Sequence, residues 1–293
     1  MKVFSETILL PEACRQDGAF VPPAEFTGYL LEPAEEQENE RENDGNPSQV
    51  RGRKAVILCP GGGYEHLSSR EGEAVAMQYL ARGCQAFVLR YSLAPARFPR
   101  ALWELAALTA RIRSQSEAWG IDPEQVIVSG FSAGGHLAGC LGTLWPREFA
   151  WKPLGLQPEQ IRPDGLILCY PVVTAGAYCH EGSIEQLLGE RKNEKDMREL
   201  ISLEKQVGPH MPRTFLWHTF SDQSVPVENS LLLASAMAEH EISLELHIYP
   251  TGCHGLSLAT EETSGGQARY VEPGCQSWME LAGNWLERSF PAR

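Results

Sequence analysis

The chain has 293 residues, of which 43% are hydrophobic and 22% are charged, and its formal net charge is −13 at pH 7. This composition is typical of a globular enzyme, and the acidic balance argues against nucleic acid or an anionic membrane as a partner, because both require a basic surface. The first residues carry charges at Lys2 and Glu6 and lack the apolar run of a signal peptide. No run approaches the roughly 18 apolar residues of a membrane span, so we expect a cytoplasmic protein.

Eight cysteines are scattered along the chain without a Cys-x-x-Cys pair. This spacing argues against the common zinc sites and against a thioredoxin-type motif. Cys59, Cys84 and Cys169 lie in or beside apolar runs, where a free thiol acts as a small core residue. We therefore expect reduced thiols, and we expect neither a metal nor another cofactor.

The amino-terminal part of the chain begins with two short apolar runs at 3–10 and 26–31, which predict an antiparallel start to a sheet. The segment 33–50 follows, with six acidic residues, one arginine and almost nothing apolar. Such a segment cannot bury enough apolar surface to offset the entropy lost on ordering. The sequence therefore predicts a mobile acidic insertion at 33–50.

From residue 54 onward, apolar runs alternate with helical patterns. The continuous apolar run at 55–59 is typical of a parallel strand that is buried on both faces. Further strands are predicted at 86–91, 125–129, 166–170, 214–219 and 244–249. Helices are predicted at 73–80, 99–119, 132–144, 227–239 and 277–288.

This alternation indicates an α/β fold in one domain over 1–293, with a mostly parallel central sheet and helices on both faces. The stretch 172–212 breaks the alternation because it is polar and without a regular pattern. It occupies the place where this architecture often carries a lid over the active site. We therefore predict a small, irregular, lid-like insertion at 172–212.

The strongest motif is Gly130-Phe131-Ser132-Ala133-Gly134, which matches the G-x-S-x-G nucleophile elbow of α/β hydrolases. Its context fits, because a predicted strand precedes it and a predicted helix follows it. In such a turn the serine hydroxyl is held clear of the sheet, and side chains at the flanking glycine positions would collide with neighbouring backbone. The following helix amino terminus favours negative charge at the same place. We predict that Ser132 is the nucleophile.

A serine hydroxyl needs a base that takes its proton, and the base needs a carboxylate that orients it. In this fold the chain order is serine, acid, histidine. Seven of the eight histidines precede or adjoin the serine, lie in 172–212 or fall within predicted elements: His66, His136, His180, His210, His218, His240 and His247. His254 instead follows the last predicted strand and lies between glycines. We predict that His254 is the base.

The acid must come between these residues, at the end of a strand. Asp222 lies in a turn between a predicted strand and a helix that starts near Pro226, so it is the predicted acid. Its alternative role is to cap that helix by accepting hydrogen bonds from backbone N–H groups. Glu228 is the second candidate, whereas Asp164 precedes its strand and so lies at the wrong end of the sheet.

The loop Pro60-Gly61-Gly62-Gly63-Tyr64 follows the first buried strand, where this fold supplies an N–H group to the oxyanion hole. Three glycines let backbone amides approach a substrate oxygen without an intervening side chain. We expect Gly62, Gly63 and Ala133 to supply the N–H donors of an oxyanion hole. A dinucleotide-binding turn would need a glycine at position 66, and a Walker loop would need Gly-Lys-Ser/Thr, which is absent.

Two further pairs of residues have open roles at this stage. Arg70 and Glu71 follow the oxyanion loop, where they could bind substrate or form an ion pair at a helix start. Trp145 and Trp151 follow the elbow helix, where they could line a sugar site or pack in the core.

Together, the segments 60–73 (PGGGYEHLSSREGE) and 130–138 (GFSAGGHLA), with Asp222 to Pro226 and His254-Gly255, resemble the esterase/lipase group of α/β hydrolases. More narrowly, they resemble its bacterial acetyl-esterase and feruloyl-esterase-like branch, which is related to acetylxylan esterases. The resemblance extends from residue 54 to the carboxyl terminus. Pro60 stands where relatives of hormone-sensitive lipase have histidine, and Ser92 replaces the arginine of a similar Tyr-Arg-Leu-Ala-Pro segment.

This resemblance implies a serine carboxylesterase that hydrolyses small-molecule esters with short acyl groups, commonly acetyl groups on sugars or xylo-oligosaccharides, without a cofactor. One alternative is an amide hydrolase, either arylformamidase-like or a small serine peptidase. The other is a non-catalytic binding protein of the same fold. Such proteins normally lose the serine, the acid or the base, and all three residue types are present here.

Overall fold

The computed structural model describes residues 1–15, 21–32 and 52–291. The predicted acidic insertion at 33–50 lies outside these residues. The strands are β1 (Lys2–Ile8), β2 (Ala24–Leu30), β3 (Arg53–Cys59), β4 (Gln85–Arg90), β5 (Ile121–Phe131), β6 (Gly165–Cys169), β7 (Arg213–Thr219) and β8 (Leu244–Tyr249). The helices are α1 (Glu73–Ala81), α2 (Arg100–Ser114), α3 (Ala133–Leu144), α4 (Glu148–Trp151), α5 (Pro158–Ile161), α6 (Glu181–Leu188), α7 (Lys195–Leu200), α8 (Glu228–Glu239) and α9 (Trp278–Ser289).

The eight strands form one sheet in the order β1-β2-β4-β3-β5-β6-β7-β8. β1 and β2 join it as antiparallel strands, and every pair from β4 to β8 along the sheet is parallel. The carboxyl ends of the parallel strands therefore share one edge, where a parallel sheet of this kind places its site. The predicted α/β fold with a mostly parallel sheet is confirmed.

The sheet is covered on both faces, because successive side chains of a strand point to opposite sides. On β3, Ala55, Ile57 and Cys59 belong to the core that packs against α2 and α3. Val56 and Leu58 belong to the opposite core, which packs against α1 and α9. All five are fully buried, which explains the continuous apolar run in the sequence.

Two predicted boundaries near β5 differ from the structure. The helix expected at 99–119 ends at Ser114, and the strand expected from 125 already begins at Ile121. Gly120, with a left-handed φ of +62°, separates the two elements. Ile121 pairs with Arg53 before a register shift, so the strand continues through three residues that lack a strand pattern.

The prediction of an irregular stretch at 172–212 is wrong, because this segment contains α6 and α7 and short 3₁₀ turns. In α6, Ile184, Leu187 and Leu188 are buried on one face while Glu181 and Glu185 are exposed. Both helices have eight residues or fewer, so each offers too few turns for a clear apolar periodicity.

All eight cysteines are free thiols, six of them buried. Over the described ranges, no helix has both the length and the apolar character needed to cross a membrane.

Candidate active site

Ser132 lies at the turn between β5 and α3, where its backbone has a left-handed φ of +54°. The surrounding backbone approaches closely on two sides. A Cβ atom at Gly134 would lie 2.0 Å from the carbonyl oxygen of Cys59, and one at Gly130 would lie 2.2 Å from the carbonyl oxygen of Gly134. Only glycine fits at these two positions, which explains the spacing of the motif.

The structure brings Ser132, His254 and Asp222 into one chain of hydrogen bonds. Nε2 of His254 lies 2.7 Å from Oγ of Ser132, and Nδ1 of His254 lies 2.6 Å from Oδ2 of Asp222. The three residues follow β5, β7 and β8, and parallel strands place these loops at the same edge of the sheet. This geometry suits transfer of the serine proton to the imidazole. Glu228, the second candidate acid, has no hydrogen bond to His254 among the described contacts.

Asp222 is 5% exposed and is held by several donors. Its Oδ1 accepts hydrogen bonds from the N–H groups of Ser224 at 2.9 Å and Val225 at 3.0 Å. These N–H groups belong to the turn before α8, and no side chain caps that helix, so the capping role considered from the sequence is not observed. Oδ1 instead fixes the turn, while Oδ2 faces His254.

Burial by itself would raise the pKa of Asp222, but hydrogen bonds from His218 and His254 hold it well below its ordinary value. The carboxylate therefore stays ionised at pH values where an ordinary aspartate takes up a proton. His218 Nε2 lies 3.3 Å from Oδ2 of Asp222 and 3.0 Å from the carbonyl oxygen of Val225. His218 lies within a strand, so the sequence pattern did not predict this contact.

The loop 60–64 lies beside the elbow, with left-handed φ values of +126° at Gly62 and +66° at Gly63. The N–H group of Gly61 donates to Glu71 at 2.8 Å. Among the described residues, the N–H groups of Gly62, Gly63 and Ala133 have no acceptor. They are therefore available to a substrate oxygen.

Buried polar side chains form hydrogen bonds that fix this loop in place. The hydroxyl of Tyr91 donates to the carbonyl oxygen of Pro60 at 2.7 Å. Burial lowers the pKa of His136 to about 4, so its imidazole is neutral. His136 donates from Nε2 to the carbonyl oxygen of Ile201 at 2.8 Å and accepts at Nδ1 from the hydroxyl of Tyr64 at 2.9 Å. The loop is therefore tied at both Pro60 and Tyr64 to buried side chains.

The segment 172–212 reaches the same site through the start of α6. The Oγ atom of Ser183 lies 3.8 Å from the position that a Cβ atom of Gly63 would occupy. His180 accepts at Nδ1 from the N–H group of Ser183 at 3.2 Å. Burial, and then proximity to the imidazole of His254, lower the pKa of His180. This segment thus borders both the oxyanion loop and the base.

Arg70 and Glu71 do not form the ion pair considered from the sequence. The guanidinium of Arg70 stacks 3.8 Å from the ring centre of Tyr270, whereas Glu71 is 2% exposed. Its carboxylate instead bonds to the oxyanion loop and to Tyr170.

Trp145 and Trp151 pack against the core on the α2–α3 face of the sheet. Trp145 follows the carboxyl end of α3, whose 12 residues span about 18 Å from Ser132. Its indole N–H donates to the carbonyl oxygen of His210 at 3.1 Å. These contacts favour the packing role over a sugar site. Within the described part of the chain, no group of histidine, cysteine and acidic residues could hold a metal ion.

The elbow, the mostly parallel sheet and the linked serine, histidine and aspartate at its carboxyl edge define an α/β hydrolase. Solved structures agree. An acetyl ester-xyloside bifunctional hydrolase from Caldicellulosiruptor lactoaceticus is 36% identical, with a TM-score of 0.74 over 91% of this chain and 88% of its own. A carboxylesterase from Lactobacillus plantarum is 28% identical, with a TM-score of 0.81 over 100% and 99%.

A sequence model of the BD-FAE family matches residues 46–237, which is more than half of the chain. The chain therefore belongs to the BD-FAE family of α/β hydrolases. A relative from Xylanibacter ruminicola, an acetylxylan esterase, is 30% identical over 84% of this chain and 47% of its own length. The chain spans 47% of this relative and 34% of another curated relative, so it matches about a third to a half of these proteins.

The close approach at the elbow predicts that Gly134→Ala destabilises the protein. The added methyl group would have to displace the carbonyl groups of Cys59 and Pro60, and we expect the free energy of unfolding to fall by roughly 3 kcal/mol or more. Urea unfolding measures the change. Gly274→Ala is the control, because its Cβ would meet only the flexible side chain of Glu272, and we expect a change within about 0.5 kcal/mol. Equal stability of the two variants would contradict this account of the elbow.

Proposed function

We propose that this protein is a serine carboxylesterase that removes short acyl groups, chiefly acetyl groups, from sugars such as xylo-oligosaccharides. The observation that carries the proposal is the chain of hydrogen bonds from Ser132 through His254 to Asp222. It lies beside the backbone N–H groups of Gly62, Gly63 and Ala133, which have no acceptor among the described residues.

In the proposed first half of the reaction, Oγ of Ser132 attacks the ester carbonyl carbon while Nε2 of His254 takes the hydroxyl proton. The negative charge that forms on the carbonyl oxygen is stabilised by the free N–H groups of the oxyanion loop and Ala133. When the carbon–oxygen bond to the alcohol breaks, His254 returns its proton to the leaving alcohol. The acyl group remains on Ser132.

In the second half, a water molecule replaces the alcohol. His254 takes a proton from the water as the water oxygen attacks the acyl carbon. The bond between the acyl carbon and Oγ of Ser132 then breaks, His254 returns the proton to Oγ, and the carboxylic acid is released. Asp222 stays ionised throughout and stabilises the imidazolium that forms in each half.

The substrate class rests on two kinds of support. The acetylxylan esterase and the acetyl ester-xyloside bifunctional hydrolase are relatives at 30% and 36% identity. The first name gives acetylxylan as the substrate, and the second gives acetyl ester and xyloside. In the structure, Ser132 is 8% exposed, and Oγ of Ser183 lies 3.8 Å from the position that a Cβ atom of Gly63 would occupy. We infer that these neighbours favour a small acyl group.

We predict that the purified protein releases acetate from acetylated xylo-oligosaccharides and hydrolyses 4-nitrophenyl acetate faster than the octanoate. Formyl-amide turnover should be far slower, because an amide is a less reactive acyl donor with a poorer leaving group. Ser132→Ala should lower kcat on the acetyl esters by on the order of 10⁶-fold, as in serine proteases. Activity of Ser132→Ala within 10-fold of wild type would contradict the proposed mechanism, and a preference for the amide would contradict the proposed substrate.

We further predict that Asp222 and His254 act as one unit. In Asp222→Asn the amide oxygen can keep the N–H groups of Ser224 and Val225, so its NH₂ group faces Nδ1 of His254 and selects the wrong tautomer. By analogy with serine proteases, kcat should fall by on the order of 10⁴-fold. Adding this change to His254→Ala should cost little more than His254→Ala alone. Glu228→Gln is the control and should be close to wild type, whereas fully additive losses would show that the two residues work independently.

A further inference from the structure

Glu71 is a buried carboxylate without a cationic partner among the described residues, at 2% exposure. Such a group is costly to bury unless its charge is matched by hydrogen bonds. Oε2 accepts the N–H group of Gly61 at 2.8 Å, and Oε1 accepts the hydroxyl of Tyr170 at 2.7 Å. Each carboxylate oxygen of Glu71 therefore accepts a hydrogen bond from a different part of the chain.

Tyr170 connects this carboxylate to the loop that carries His254. It follows β6 with a left-handed φ of +38°, and its hydroxyl oxygen accepts the N–H group of Ser257 at 2.9 Å. Its ring packs edge-on against the imidazole of His254, with ring centres 5.1 Å apart. Burial raises the pKa of Tyr170 well above its ordinary value, so the phenol keeps its proton and donates to Glu71.

The loop after β8 is tied to Glu71 by a second route. The hydroxyl of Ser257 donates to the carbonyl oxygen of Arg70 at 2.6 Å, and Arg70 directly precedes Glu71. The oxyanion loop and the histidine loop have no common secondary-structure element. Hydrogen bonds through Glu71, Tyr170 and Ser257 connect these two loops instead.

We propose that Glu71 is a positioning residue, which sets the oxyanion loop relative to His254 through Tyr170. This inference rests on the proposed function. By holding the N–H group of Gly61, Glu71 fixes the loop and leaves the N–H groups of Gly62 and Gly63 for the substrate oxygen. A glutamine of the same shape cannot accept from both partners, because Gly61 and Tyr170 are both donors and an amide has only one acceptor atom.

The test is Glu71→Gln, assayed with 4-nitrophenyl acetate and with a trifluoromethyl ketone, which forms a tetrahedral adduct on the serine. A displaced oxyanion loop should lower kcat by about 100-fold, since small misplacements have such effects, and should leave KM within a few-fold. The affinity for the ketone should fall by the same factor as kcat/KM, because the oxygen of the adduct uses the same N–H groups. A residue that only stabilised the fold would not link these two quantities.

The matched control is Asp164→Asn. Asp164 lies at the opposite edge of the sheet with a side chain that is 7% exposed, and it accepts from Arg113 at 2.6 Å and from the N–H group of Val126 at 2.9 Å. It should lower the thermal stability while kcat and ketone affinity stay at wild-type values. If Glu71→Gln behaves in the same way, or keeps full activity, the inference is wrong.

Tyr170→Phe is the second test variant, for the case that Glu71→Gln does not fold. It removes one oxygen and so breaks the hydrogen bond between Tyr170 and Glu71. It should also lower kcat and ketone affinity together, by 10-fold or more, and unchanged values would overturn the inference. Failure of the proposed function is separately visible, because it would appear as a wild-type protein that does not hydrolyse acetyl esters.

Discussion

The close packing of backbone around Ser132 is the constraint on which the site depends. A left-handed φ at a serine costs roughly 1–3 kcal/mol, and neighbouring elements hold it in place. The N–H group of Ser132 donates to Cys169 at 3.0 Å, while its carbonyl oxygen accepts from His136 at 3.0 Å and Val172 at 3.1 Å. The ends of β5 and β6 and the start of α3 are thereby locked together, and Gly134 lets α3 lie directly on the end of β3.

This arrangement decides where charge can be stabilised. Ser132 lies at the amino terminus of α3 and beside the oxyanion loop, and its Oγ bonds to the imidazole of His254, which in turn bonds to the ionised carboxylate of Asp222. The carboxylate of Asp222 stays ionised although it is buried, because two backbone N–H groups and two histidines surround it. The dipoles that would stabilise a transition state are thus in place before substrate arrives, so little reorganisation is needed during reaction.

Much of this could be predicted from the sequence, because the signals are local or follow from chain order. The elbow at Ser132 is a five-residue pattern, and His254 and Asp222 each follow an apolar run that marks a strand. The contacts of Glu71 and His218 gave no such signal. Glu71 meets a tyrosine 99 residues away, and its lack of a cation is visible only once the fold encloses it. The helices in 172–212 escaped prediction because they are too short to show a periodic face.

The central claim is that Ser132 is the nucleophile of an esterase. The most direct measurement is labelling with a fluorophosphonate, which transfers its phosphonyl group to an activated hydroxyl with release of fluoride, followed by peptide mapping by mass spectrometry. We predict one phosphonyl group per chain, located on Ser132, with loss of esterase activity in step with labelling and slower labelling when acetylated xylo-oligosaccharide is present. A label on another residue, or esterase activity that persists after Ser132 is fully modified, would contradict the account.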